Sequence, residues 1–288
     1  MSSDPIAVPA ATYRGMARPE IDAAYNNSAA VKESPRHLAD WERRSAIVRA
    51  RPDARLDLAY GPAVNNRIDY FPAKAGAPLF VFVHGGYWFR NRKEIFAFAA
   101  EGPLAHGISV ATVGYTLAPQ AGLSEIVREV AAAIDHLSGA ADDLGFDAEA
   151  LVIGGWSAGG HLAALAATHP AVKGALPISG IFDLAPIRIS YINDALALTE
   201  AEVAGLSPLF NLPAHSVPMR LFVGGDELPE LRRQSSAYAE AAATKGLPVT
   251  LDVIAGKNHF TILELLGDGA SVLTRGLTGL IEDARRQA

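Results

Sequence analysis

ALVIGGWSAG, residues 150–159, is the most informative segment of this sequence. Its first five residues, 150–154, are apolar and predict a buried strand, and the run 161–167 after it has a helical pattern. Between them, residues 155–159 fit the pattern Gly-x-Ser-x-Gly, which in a strand–turn–helix context lifts one serine hydroxyl out at the end of a sheet. Glycines flank that serine because so strained a turn leaves no room for a Cβ atom. Ser157 is therefore predicted to be a nucleophile.

The rest of the chain alternates between buried strands and helices. Its other apolar runs are continuous rather than alternating, which is typical of strands that are buried on both faces of a parallel sheet. The predicted strands are 79–83, 109–113, 174–178, 221–223 and 249–254, and the predicted helices are 94–106, 123–137, 161–169, 232–245 and 261–285. This alternation predicts a three-layer α/β fold, with a mostly parallel central sheet and helices on both faces. Two alternating segments, 55–60 and 67–71, predict an antiparallel hairpin ahead of it, and this order of elements is that of an α/β-hydrolase.

The domain prediction is a single domain over residues 1–288. Residues 1–54 are expected to form an N-terminal arm and a helix. The arm is the proline-rich, aperiodic run 1–20, expected to be loosely held, and the helix is 35–50. The segment 182–215 interrupts the alternation near the carboxyl edge of the sheet, where ligands bind, so we expect a small cap or pocket wall there. An ordinary long surface connection is the alternative.

Composition narrows the function classes. Half of the 288 residues are hydrophobic and 19% are charged, which is enough apolar material for a sizeable core. A net charge of -6 argues against nucleic acid as a partner, and the absence of cysteine excludes thiol catalysis and disulfides. The sequence shows neither a secretory signal pattern nor a membrane-length apolar run, so a cytoplasmic protein acting on a small molecule is expected. The oligomeric state stays open, with a homodimer as one alternative.

A serine nucleophile needs two partners. Its hydroxyl is a poor nucleophile at neutral pH without a base in reach, and that base needs an orienting acid. In this fold the chain order is serine, acid, histidine. His259 lies between the last strand and the last helix, so its loop delivers it to the sheet edge where Ser157 is expected. The acid is Asp226 or Glu227, which both follow the strand 221–223, with Glu230 as a third alternative. Since adjacent side chains in a turn point to different sides, only one of the first two can serve, and aspartate, the commoner acid in such enzymes, favours Asp226.

The run HGGYW, residues 84–88, follows the strand 79–83 directly. A His-Gly-Gly run in this place is typical of the oxyanion loop of lipases and esterases. We expect the backbone N–H groups of Gly85, Gly86 and Ala158 to stabilise the oxyanion of the reaction.

Aromatic residues beside these motifs bear on the size of the pocket. Tyr87 stands where related loops carry a third glycine, which narrows the pocket and favours a small or flat acyl substrate. Trp88 and Trp156 are candidates for the pocket walls, with ordinary core packing as an equal alternative.

HGGYW at 84–88, together with GWSAGGHL at 155–162, resembles the kynurenine formamidase (arylformamidase) branch of the α/β-hydrolases. Further similarity lies in 182–187, 206–208, 228–230 and 233–235, and in the run YNN that begins at Tyr25, which is thereby a further pocket candidate. In such enzymes the triad acid is followed by x-Pro-Glu, which implies Glu227. The family's usual aspartate is then replaced by glutamate, and Asp226 stays an alternative.

The resemblance implies hydrolysis of N-formyl-L-kynurenine to kynurenine and formate, with no metal or organic cofactor. Acyl transfer through an acyl-enzyme on Ser157 is the expected mechanism. A carboxylesterase of small acyl esters and an amidase of another aryl amide are the alternatives within this chemistry. A catalytically silent hydrolase fold that serves as a binding module is the alternative from a different class.

Overall fold

An eight-stranded sheet forms the centre of the computed structural model, which describes residues 12–213 and 217–287. The strands are β1 (Arg55–Ala59), β2 (Arg67–Phe71), β3 (Ala77–Val83), β4 (Ser109–Val113), β5 (Phe146–Trp156), β6 (Gly174–Ile178), β7 (Met219–Gly224) and β8 (Val249–Ile254). The α-helices in the described residues are α1 (Arg18–Ala24), α2 (Asn27–Ala30), α3 (Ser34–Arg49), α4 (Glu101–Ala105), α5 (Leu123–Gly139), α6 (Ala141–Leu144), α7 (Ala158–Ala166), α8 (Ala185–Ile189), α9 (Asn193–Leu196), α10 (Glu200–Leu206), α11 (Pro229–Thr244) and α12 (Val272–Gln287).

The sheet is mostly parallel, as the continuous apolar runs predict. Its strand order is β1-β2-β4-β3-β5-β6-β7-β8, in which β2 pairs antiparallel with β1 and β4 and every other pair is parallel. In the pairing of β3 with β5, Val83 lies opposite Gly155. The loop 84–88 and the turn 155–159 therefore leave the same edge of the sheet side by side.

Two apolar layers cover the two faces of the sheet. Every residue of β3 is buried, and its side chains alternate between the layers. Leu79, Val81 and Val83 belong to the core that includes α5 and α7, whereas Phe80 and Phe82 belong to the core that includes α3 and α12. A strand that is buried on both faces needs no polar alternation, which explains its continuous apolar sequence.

Two predicted helices are broken where the sequence contains helix-disfavouring residues. Residues 94–106 form a 3₁₀ helix, Lys93–Ala100, followed by α4, because Pro103 lacks an N–H group and fits only the first turn of a new helix. Residues 261–285 form a second 3₁₀ helix, Leu263–Gly267, and then α12, whose first turn is capped by the Ser271 hydroxyl through the N–H of Thr274 at 3.1 Å. The predictions of continuous helices were wrong at these points.

The N-terminal segment is more ordered than its sequence indicates. Residues 1–11 lie outside the described residues, but for 13–20 the expectation of a loosely held arm was wrong. The hydroxyl of Tyr13 donates to the carboxylate of Asp183 over 2.6 Å and accepts from the guanidinium of Arg233 at 2.9 Å. Helix α1 then begins with proline in its first turn, a position at which proline favours a helix start.

The interrupting segment 182–215 carries the short helices α8, α9 and α10 in its described residues, which end at 213. Over the two described ranges of the chain, none of the helices combines the length and the apolar character that a membrane crossing requires.

Candidate active site

Ser157 lies at the sharp turn between β5 and α7, as the opening sequence stretch predicts. Its backbone has φ 58° and ψ −118°, a conformation that costs a non-glycine residue about 1–3 kcal/mol. Hydrogen bonds hold the turn on both sides, since the N–H of Ser157 donates to the carbonyl of Ile178 at 2.8 Å and the carbonyl of Ser157 accepts from the N–H of His161 at 3.1 Å. Strain of this kind at a buried serine is a mark of functional sites.

The glycines of the turn are required by close backbone contacts. A Cβ atom on Gly155 would lie 2.3 Å from the carbonyl oxygen of Gly159, and one on Gly159 would lie 2.0 Å from that of Val83. Only glycine therefore lets the turn pack against the end of β3, and this packing brings Ser157 next to the loop 84–88.

Glu227, not Asp226, meets the histidine. Its Oε2 lies 2.6 Å from Nδ1 of His259, and its Oε1 accepts from the hydroxyl of Ser179 at 2.5 Å and from the N–H of Gly224 at 2.7 Å. Both members of the pair are buried, whereas the side chain of Asp226 is exposed to solvent. The turn after β7 thus directs the carboxylate of Glu227 inward, as the family resemblance implies. The alternative acid, Asp226, faces solvent.

His259 and Ser157 line one cleft with a cavity volume of about 100 Å³. Trp156 holds the loop that carries His259. Its indole N–H donates to the carbonyl of His259 at 2.8 Å, and the centroids of its ring and of the imidazole are 4.7 Å apart. Trp156 both lines the cleft and packs edge-on against Trp41 in the core, with ring centroids 5.4 Å apart. Its two predicted roles, pocket wall and core residue, are thus combined.

The loop after β3 is held by His84. Its Nδ1 donates to the carbonyl of Gly85 at 2.9 Å, and its ring stacks on Tyr115 with centroids 4.4 Å apart. Burial lowers the pKa of His84 to about 4, so the imidazole is neutral at neutral pH. It stabilises the loop and lines a different pocket from the cleft that His259 lines.

The predicted oxyanion donors surround Ser157. Gly86 lines the cleft, and Gly85 lies under it, where a Cβ atom would be 3.1 Å from Cβ of Ser157. The N–H groups of Gly85, Gly86 and Ala158 donate to no backbone oxygen within the stretches of chain that the structure describes. Their role in holding an oxyanion stays a prediction.

Three aromatic pocket candidates have different surroundings. Tyr87 lines the cleft, and its hydroxyl donates to the carbonyl of Tyr25. Tyr25 itself is fully buried, and its hydroxyl accepts from the amide of Gln234 at 2.6 Å. It therefore holds Tyr87 in place and does not line the cleft itself. Trp88 is also fully buried and meets the ring of His161 edge-on at 5.0 Å, which corresponds to the core alternative.

Further residues complete the cleft. Asn27 belongs to the run YNN that carries part of the family resemblance, whereas Arg90 lies in no motif of the sequence analysis. Asn27 and Tyr191 line the cleft from α2 and from the interrupting segment, and Arg90 lines it from the loop after Trp88. Ser179, which bonds Glu227, has no sequence signal beyond its place after β6. Over residues 12–213 and 217–287, no three His, Cys, Asp or Glu side chains lie together in a way that could hold a metal ion.

Comparison with known proteins gives relatives over nearly the whole chain. The BD-FAE family matches residues 69–224. The kynurenine formamidase of Danio rerio is 30% identical, over 93% of this chain and 98% of its own, and that of Salmo salar is 33% identical, over 83% and 86%. A solved structure from Silicibacter sp. TM1040, for which a thioesterase activity has been suggested, is 30% identical with a TM-score of 0.82, over 90% of this chain and 99% of its own.

Proposed function

Because the chain belongs to the kynurenine formamidase branch of the α/β-hydrolases, and is thus an amide or ester hydrolase, we propose that it hydrolyses N-formyl-L-kynurenine to kynurenine and formate. The observation that carries the proposal is the pair Glu227–His259, 2.6 Å apart, at a cleft that Ser157 also lines. The choice of substrate follows the activity for which the two fish relatives are named.

The first chemical step uses the two nitrogens of one imidazole. Nδ1 of His259 carries the proton that it shares with Glu227, which leaves Nε2 as the base. Nε2 takes the hydroxyl proton of Ser157 while Oγ attacks the formyl carbon. The carboxylate holds the imidazole in this tautomer and stabilises the imidazolium that forms.

The tetrahedral intermediate places negative charge on the former carbonyl oxygen. The N–H groups of Gly86 and Ala158, with that of Gly85, are the proposed donors, and as backbone groups they need no reorganisation when the charge develops. The imidazolium of His259 then protonates the departing aryl nitrogen, the C–N bond breaks, and the formyl group stays on Ser157. Attack by water, with His259 again as the base, releases formate and restores the serine.

The lining of the cleft supports a small acyl group and a substrate that carries a carboxylate. Tyr87 lines the cleft together with Ser157, and its ring stands where related loops carry a third glycine. Among the described residues that line the cleft, Arg90 is the only Lys, Arg, Asp or Glu, and it carries a positive charge. An arginine guanidinium is suited to bind a carboxylate, a group that N-formylkynurenine carries.

A substrate comparison with the purified chain tests the proposal. We expect turnover of N-formyl-L-kynurenine, and a loss of roughly four decades in kcat in Ser157→Ala with the fold retained by circular dichroism. A folded Ser157→Ala protein with near-native turnover would overturn the serine mechanism. Wild-type protein that cleaves esters but leaves N-formylkynurenine intact would overturn the formamidase proposal alone.

A carboxylesterase acting on small acyl esters is the second candidate, and an amidase of another aryl amide belongs to the same chemistry. The thioesterase activity suggested for the Silicibacter relative favours an ester-type substrate. Rates on 4-nitrophenyl esters of graded acyl length, beside rates on aryl formamides, separate these candidates.

A further inference from the structure

Asn27 is unusual for a cleft residue, because the Nδ2 atom of its side-chain amide is hydrogen-bonded and the Oδ1 atom is not. Its side chain is buried, with 4% of the residue exposed, and it lines the same cleft as Ser157. Nδ2 donates to the hydroxyl oxygen of Tyr87 at 2.9 Å. Oδ1 is buried and receives no hydrogen bond from any donor among the described residues.

The orientation of this amide is fixed by its neighbour. The hydroxyl of Tyr87 has a single proton, which it donates to the carbonyl of Tyr25, so towards Asn27 it can only accept. A flipped amide would bring two acceptors together. Burial raises the pKa of Tyr87 well above its usual value, so the hydroxyl keeps its proton over the working pH range. Oδ1 of Asn27 therefore points away from Tyr87.

Folded proteins leave few buried polar atoms without a partner, and an exception beside a reactive group calls for an explanation. The contacts that fix Nδ2 do nothing for Oδ1, so the fold itself does not need this atom. A donor supplied by a bound substrate would satisfy it, and a carbonyl oxygen in this position accepts equally well from an amide N–H or from an ammonium group.

We propose that Asn27 is a specificity-determining residue whose Oδ1 accepts a hydrogen bond from an N–H group of the substrate. The proposal rests on the proposed function in one respect, that the cleft at Ser157 is the active site. An ester offers an oxygen lone pair where an amide offers N–H, so Oδ1 disfavours the ester at this position. Asn27 thereby separates nitrogen-containing substrates from esters of the same shape.

The first experiment compares 4-nitroacetanilide with 4-nitrophenyl acetate, which share acyl and aryl groups and differ in N–H against oxygen. In Asn27→Leu we expect the anilide-to-ester ratio of kcat/KM to fall by roughly 10- to 100-fold, the effect of one buried hydrogen bond. Asn26→Ala is the matched control, because it disturbs the start of the same helix, where the Asn26 side chain accepts from the N–H of Ala29, but keeps Oδ1 of Asn27. Its ratio should stay within about twofold of wild type.

The second experiment tests an ammonium group as the donor. It compares an aryl acetate that carries a primary amine on its leaving group with the same ester without the amine. A fall of the amine preference in Asn27→Leu by roughly tenfold or more assigns the contact to an ammonium, and a fall confined to the anilide pair assigns it to the scissile amide. This arm needs only ester hydrolysis, so it is informative even where N-formylkynurenine is not a substrate.

Two results would overturn the proposal. One is a folded Asn27→Leu protein in which neither ratio changes, and the other is an Asn26→Ala protein whose ratios fall as far as those of Asn27→Leu. Should Asn27→Leu fail to fold, Asn27→Ser removes Oδ1 while keeping a small polar side chain. The same two ratios then decide.

Discussion

The hydroxyl of Ser179 donates to Oε1 of Glu227 over 2.5 Å, on the opposite carboxylate oxygen from the one that meets His259. Ser179 is fully buried, has φ 50°, and is anchored through its N–H to the carbonyl of Phe222 at 2.7 Å. The carboxylate is thus held from both sides, and its direction towards His259 depends on a residue that does not touch the cleft.

We expect Ser179→Ala to lower kcat by about tenfold with little change in KM, since Glu227 loses a fixed donor and orients the imidazole less well. Steady-state kinetics on an aryl ester measures both constants. Ser235→Ala is the matched control, because among the described residues that buried hydroxyl bonds only the carbonyl of Leu231 in its own helix. Wild-type kcat in Ser179→Ala would contradict the positioning role.

Substitutions of the two adjacent acids after β7 should have very different effects on kcat. Glu227→Gln keeps the shape of the side chain but removes the charge that faces His259, and we expect kcat to fall by roughly 10²- to 10⁴-fold. Asp226→Asn alters an exposed side chain and should stay within about twofold of wild type. Comparable losses in the two variants would show that the assignment of the acid to Glu227 is wrong.

Arg90 should lower KM for substrates that carry a negative charge. Arg90→Gln is expected to raise KM for an anionic aryl formamide by about tenfold, the value of one exposed charge-assisted contact, and to change KM for a neutral aryl ester much less. Arg92→Gln serves as the control, since Arg92 lies outside the cleft and pairs with Glu42 and Glu94. Equal effects of Arg90→Gln on charged and neutral substrates would exclude an anion contact.

The backbone contact at the turn that carries Ser157 predicts a stability effect. Gly159→Ala places a Cβ atom 2.0 Å from the carbonyl oxygen of Val83, and we expect it to lower the free energy of unfolding by about 3 kcal/mol or more. Gly139→Ala, with no atom within 4 Å, should be neutral or stabilise by up to about 1 kcal/mol. Urea titration measures both values, and a Gly159→Ala protein as stable as wild type would mean that the turn can relax.

Buried histidines make the fold sensitive to acid. Burial lowers the pKa of His84 and of His161 to about 4. Both groups are neutral in the native state and protonate near pH 6.5 when unfolded, so their stabilisation is complete above about pH 6.5 and is lost as pH falls towards 4. Each contributes a slope of up to about 1.4 kcal/mol per pH unit in that window. The free energy of unfolding, measured at several pH values, should fall less steeply in His161→Gln than in wild type.

The sequence predicts the sheet well because burial on both faces leaves a direct signature, the unbroken apolar runs of β3 and β4. It predicts Ser157 and His259 because their positions follow from the order of elements. The choice of Glu227 over Asp226 depends on which way one turn faces, and only the three-dimensional structure or a relative supplies that. Trp88 is ambiguous in the sequence for a similar reason, since an aromatic residue after a strand fits a pocket wall and a core equally well.

Arg90 and Ser179 escape sequence reasoning because neither lies in a motif with a fixed chemical meaning. Asn27 lies in the run YNN, whose resemblance to the family gives it no role. Each becomes meaningful through contacts with residues far away in the chain, such as the bond between Ser179 and Glu227, 48 positions apart.

The bond between Tyr13 and Arg233 joins residues 220 positions apart, and it ties down the segment that carries Tyr25 and Asn27. On the ribosome, the serine turn is made before Arg233, although Tyr25 and Asn27 can already bond Tyr87 at that stage. The bond from Tyr13 to Arg233 waits for α11, and His259 follows later still. A chain synthesised only as far as the serine turn consequently lacks both the anchor of its N-terminal segment and the histidine of the proposed reaction.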